Sequence, residues 1–158
     1  MSMHEFESAV AIIHANPKKA FFAGPRSNEL LCKMENIIGY KFPPTYRLFL
    51  SEFGAGNFGP MEFLGVIDDD IEESSVPDGV WYTLTERREV NLPQDLFVVG
   101  ETGMGELYCL RLNSTGTEEG PVLLINPGCE PGKQICEEVA PDFGTFFLNS
   151  VKQAGSNG

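Results

Sequence analysis

The residues best equipped for chemistry in this chain are the carboxylates of Asp68-Asp69-Asp70 and Glu72-Glu73. Paired acids can pass protons or hold a hard cation. Consecutive carboxylates point in different directions, however, and this run lacks the spaced oxygen ligands and central glycine of a calcium-binding loop. Two readings stand: a solvated acidic loop, or a patch that binds a partner. Asp78 extends the patch, and so does Trp81, the only tryptophan, whose indole suits either core packing or an aromatic interface anchor.

Other reactive side chains are sparse. Cys32, Cys109, Cys129 and Cys136 form no C-x-x-C pair, and His4 and His14 are the only histidines, so ligand spacing argues against zinc. Cys32 and Cys109 fall in apolar patterns and are expected in the core. Cys129 and Cys136 flank an expected loop and would pair only in an oxidising compartment; reduced thiols are expected. Gly100, Gly103 and Gly105 have neither dinucleotide-binding spacing nor a following helix and read as a turn, and the chain carries no G-x-S-x-G elbow, H-E-x-x-H pair or phosphate loop. No pair of catalytic groups can be named. The expectation is a protein that is not an enzyme and holds no metal, with a small carboxylate-dependent hydrolase acting on a neutral or cationic substrate as the lesser reading.

Charge says more. The net charge is −12 and it is uneven: residues 1–47 hold six basic and four acidic side chains, whereas residues 48–158 hold five and nineteen. Between Arg47 and Arg87 there is no Lys or Arg. Such a surface repels phosphate backbones, which argues against direct nucleic-acid binding, and attracts a basic partner. The first ten residues are not those of a secretory signal and no apolar run reaches membrane-spanning length, so the expected location is the cytoplasm, with no membrane partner.

The elements that must carry these residues follow from periodicity. Glu5 to Ala15 reads as a helix with Phe6, Ala9, Val10 and Ile13 on one side. Ser27 can cap a second helix presenting Leu30, Leu31, Met34, Ile37 and Ile38, and Gly39 can end it. Pro43-Pro44 suits the first turn of a third, on which Tyr46, Phe49, Leu50 and Phe53 share a face. Gly54, Ala55 and Gly56 turn the chain into a strand over Met61 to Ile67, and the acidic loop runs from Asp68 to Gly79. Val80 to Val90 reads as a short helix with Trp81, Leu84 and Arg88 along one side. Phe97 to Val99, Glu106 to Leu112 and Pro121 to Ile125 read as an antiparallel meander. Asp142 can cap a last helix carrying Phe143, Phe146, Phe147 and Val151, with Ala154 to Gly158 expected to fray. Helices grouped at the ends around a strand-rich middle predict one α+β domain over residues 1–158, a mainly antiparallel sheet flanked by N-terminal helices and a C-terminal helix.

In this order the pieces resemble the SUKH superfamily of bacterial immunity proteins, in detail its YobK-like members. The matching residues are Glu35, Ile38-Gly39, Phe42-Pro43 with Tyr46, Phe49 and Leu50, the Phe53-Gly54-Ala55-Gly56 stop, and Leu64-Gly65. Leu84-Thr85 with Arg87, Leu92-Pro93, Phe97 to Gly100, Tyr108 to Leu110, Pro121-Val122 and Phe143 with Phe146 continue it over nearly the whole chain. Many members have Asn-Gly-Gly where this chain has Gly54-Ala55-Gly56, and an Asp-Gly type turn where it has Glu101-Thr102-Gly103. The resemblance implies an α+β domain without cofactor or catalytic residues that neutralises a toxin by binding it. Combined with the charge, it leads to the expectation of a basic cognate toxin domain, best a nuclease, whose active site is covered by a surface containing Asp68, Asp69, Asp70, Glu72, Glu73, Asp78 and Trp81. A non-catalytic regulatory or scaffolding module is the alternative.

Overall fold

Short capped helices and two antiparallel sheets make up the computed structural model, which describes residues 2–70, 78–130 and 132–156. Helix α1 (Ser2–Ala15) buries Phe6, Ala9 and Ile13. Helix α2 (Asn28–Ile38) starts where the Ser27 hydroxyl oxygen accepts the Leu30 N–H at 3.1 Å, and ends at Gly39, whose φ of 90° is left-handed. Helix α3 (Pro44–Glu52) has no side-chain cap of its own. Glu119, far away in sequence, supplies one: its carboxylate accepts the Thr45 N–H at 3.1 Å and the Thr45 hydroxyl at 2.8 Å.

Strands β1 (Ala20–Phe22), β2 (Gly56–Phe58) and β3 (Met61–Phe63) pair antiparallel in that order. After helix α4 (Gly79–Glu89), strands β4 (Leu96–Glu101), β5 (Leu107–Arg111), β6 (Val122–Ile125) and β7 (Ile135–Ala140) form a second antiparallel sheet, also in chain order. The Leu64 N–H donates to the Val99 carbonyl at 2.9 Å and ties the end of the first sheet to the second. Helix α5 (Phe143–Ser156) closes the chain, with the Asp142 carboxylate accepting the Thr145 N–H at 2.7 Å.

Alternation decides where the core lies. Phe97, Val99, Leu110 and Leu112 face the main cluster with α1, α2, α3 and α5, whereas Leu96, Val98, Leu107 and Cys109 face a second cluster that Tyr82 and Val90 cover. Strands β4 and β5 are thus apolar on both faces, which antiparallel strands manage only when something covers each side. Tyr46, Phe49, Phe63, Phe143 and Phe147 form the centre of the main cluster, with ring centroids 4.8 to 5.9 Å apart in offset and edge-on pairs. An α+β fold is therefore the architecture, as the element order predicts. Among the described residues no helix is long and apolar enough to cross a membrane.

Several local expectations need correction. The strand over Met61 to Ile67 is shorter, ending at Phe63, because Leu64 and Gly65 turn to bond β4 and Asp78 instead. Strands β1, β2 and β7 fall where periodicity predicts no strand. Cys136 lies in β7, and Cys32 is exposed on α2, leaving Cys109 as the one core cysteine of the four free thiols. The chain does not fray from Ala154: that residue is buried, and the Gly155 carbonyl accepts the Lys19 ammonium at 2.9 Å. On α4 the buried face is Val80 and Thr83, with Trp81 only half-buried and Arg88 exposed.

One close approach fixes where the acidic loop leaves the body. A Cβ on Gly65 would sit 1.8 Å from the Gly54 carbonyl oxygen, so the two backbone segments can touch only through glycine. The Val66 N–H donates to the same oxygen at 3.0 Å. Two residues further on, the loop begins.

Candidate partner-binding surface

Asp68, Asp69 and Asp70 are all exposed. The Asp68 carboxylate accepts the Asp70 N–H at 2.9 Å, a local turn that presents the run outward. Behind it, the Arg26 guanidinium donates to the Val66 carbonyl at 3.0 Å and holds the loop's root. The loop is not purely anionic. Lys33 reaches across from α2 to Asp69 at 3.0 Å, and its ammonium holds the Asp69 carboxyl below the ordinary aspartate range. Both side chains are more than half exposed, so the pair adds little stability, but it cancels part of the patch's charge. Glu72 and Glu73 lie outside the described residues.

Asp78, where the described residues resume, bridges in parallel to Gly65. Asp78 was expected on the partner-binding face. It is instead 1% exposed and acts as the helix cap of α4, its Oδ1 accepting the N–H groups of Val80 at 2.9 Å and Trp81 at 3.1 Å. A carboxylate there also meets the positive end of the helix dipole, so burial is compensated. Trp81 follows on the first turn, half-buried, with its indole edge-on to the Tyr82 ring at 6.0 Å. Of the expected site residues, Asp68, Asp69 and Asp70 thus lie together on the surface, Trp81 stands partly open at the far end of the loop, and Asp78 is structural.

A second acidic feature was missed. Glu62 on β3 and Glu101 at the end of β4 line an open cleft of about 420 Å³, with Met61, Thr102, Tyr108, Ser150, Gln153 and Ala154 among its other walls. Partial burial and then the Glu101 charge raise the Glu62 pKa above the usual glutamate value. Glu86 on α4 is raised as well, first by burial and then by Glu89 and Glu101. The Tyr82 hydroxyl donates to Glu101 at 3.1 Å, which supplies one neutral donor to this crowded set of acids. Glu62 and Glu101 are distant in sequence, and only the junction of the two sheets brings them together, so no local pattern could have found the cleft. Among the described residues no group of three or more His, Cys, Asp or Glu side chains is arranged to hold a metal ion.

The fold therefore combines an N-terminal helical layer, two linked antiparallel sheets and an acidic rim. The family model described as SUKH_6, SMI1-KNR4 cell-wall, matches residues 28–147, from the start of α2 into α5. The chain belongs to this SUKH family, a membership consistent with an immunity-type or SMI1-KNR4-like domain and with a class that is generally non-catalytic. Helix α1 and strand β1 lie outside the match. No curated protein matches the chain.

Proposed function

We propose that this chain is an immunity protein that acts in the cytoplasm by binding and neutralising a basic toxin domain, with a nuclease the best-fitting class. The observation that carries the reading is the sign and concentration of its charge, −12 overall with Asp68, Asp69 and Asp70 exposed on one loop. A nuclease needs a basic surface to hold nucleic acid. An acidic protein can occupy that surface and approach it quickly under electrostatic attraction. Membership of a generally non-catalytic family supports binding, rather than turnover, as the mode of action. Half-buried Trp81 is suited to seat in a pocket of the partner and slow release, since aromatic anchors near an interface centre dominate binding energy.

The test is co-expression with the toxin domain encoded beside its gene. Restored growth and co-purification as a stoichiometric complex are expected. A chain that neither restores growth nor binds that domain, but captures a different host protein, would point to the regulatory scaffold instead.

A further inference from the structure

The cleft between the two sheets and the end of α5 is a better-shaped receptor than the exposed loop. Its volume of about 420 Å³ falls within the roughly 300–1,000 Å³ usual for sites that hold small organic groups. Gly100, next to the wall residue Glu101, leaves room for two of the lining side chains: a Cβ there would lie 3.4 Å from the Met61 methyl carbon and 3.4 Å from the Tyr108 ring. Two carboxylates, Glu62 and Glu101, stand on its walls, and its lining holds no lysine, arginine or histidine. Two basic side chains stand at this end of α5: Lys19 gives its ammonium to the Gly155 carbonyl, and the exposed Lys152 is not among the lining residues. The chemistry therefore asks for positive charge from outside. Among the described residues no group of three or more His, Cys, Asp or Glu side chains is arranged to hold a metal ion, so an organic cation suits the cleft better.

We propose that this cleft receives a single arginine side chain of the protein partner, its stem along Met61 and Ala154 and its guanidinium between Glu62 and Glu101 with the Tyr108 ring beside it. Arginine fits better than lysine because a planar fork can bond two carboxylates at once and stack on an aromatic face. The inference rests on the proposed binding of a basic protein and adds a specific socket for it, apart from the Asp68 to Asp70 loop.

The experiment uses the full chain and no toxin. N-acetyl-arginine amide is titrated against isotope-labelled protein, with N-acetyl-norleucine amide, N-acetyl-lysine amide and spermidine as separate arms. Saturable shifts at Gly103, Tyr108 and Gln153 are expected for arginine. Binding should weaken by about fivefold or more in the E62Q/E101Q double variant, as loss of two nearby charges requires, and should be unchanged in D68N/D69N/D70N. Both glutamates are exposed, so the double variant is expected to keep its fold, which its own spectrum verifies. Equal shifts from norleucine, arginine binding indifferent to E62Q/E101Q, or tighter binding of lysine amide or spermidine than of arginine amide would each overturn the proposal. Because these arms contain no toxin, their failure beside successful growth rescue would remove the socket and leave the immunity reading standing.

Discussion

Glu35 carries a structural load that its residue type conceals. It is 4% exposed, and its Oε2 accepts the Phe42 N–H at 2.7 Å and lies 3.5 Å from the Arg47 Nε. It therefore closes the connection between α2 and α3 by satisfying a buried backbone donor that no secondary structure reaches. Glu35→Ala leaves that donor unpaired and is expected to cost about 2–3 kcal/mol in urea unfolding, whereas Glu35→Gln keeps an acceptor and should lose clearly less. Equal losses in both variants would mean that the charge pair with Arg47, and not the Phe42 bond, is what matters. Glu35 belongs to the residues that suggested the family, yet nothing in the sequence announced its burial. Asp78 is the opposite case. An aspartate immediately before a helical run is a readable cap signal, and it was obscured by the acidic residues preceding it, which made the whole stretch look like surface.

At the scale of elements, the close contact of Gly54 with Gly65 is the joint on which the others turn. It lets the end of α3, the exit of β3 and the start of the acidic loop share one small volume. Gly65→Ala would drive a methyl group into the Gly54 carbonyl and is expected to destabilise by about 3 kcal/mol or more, or to prevent folding, as overpacking against backbone does. A melting temperature unchanged from wild type would show that the segments can separate without loss. Elements with strong local grammar were legible: α2 between Ser27 and Gly39, α3 after its prolines, α5 after Asp142, the alternating β5, and the short apolar runs of β4 and β6 on either side of it. Strands β1 and β2 were not, because three-residue strands carry no period. Strand β7 escaped for another reason. It is an edge strand whose first five residues are all exposed, so Ile135, Glu137 and Val139 show no inward alternation to read.

For the whole molecule, the sequence made the class of fold and the sign of the charge legible, since helix faces, caps and composition are local quantities. It could not show how charge is distributed in space. Folding brings Lys33 to Asp69, buries Asp78 and assembles Glu62 with Glu101, and each of these depends on elements far apart in the chain. The acidic surface is thus smaller at the loop and larger at the sheet junction than residue order suggests. Electrostatic attraction of this kind should appear mainly in the rate of encounter, raising it by about 10- to 1,000-fold at low salt and fading as ions screen it. The most direct measurement is the association rate of the protein with its cognate toxin domain from low to high ionic strength, compared with a variant in which Asp68, Asp69 and Asp70 become Asn and Glu72 and Glu73 become Gln. The account predicts slower association of the variant at low salt, a flatter salt dependence, and convergence of the two proteins at high salt; identical rates at low salt would contradict it.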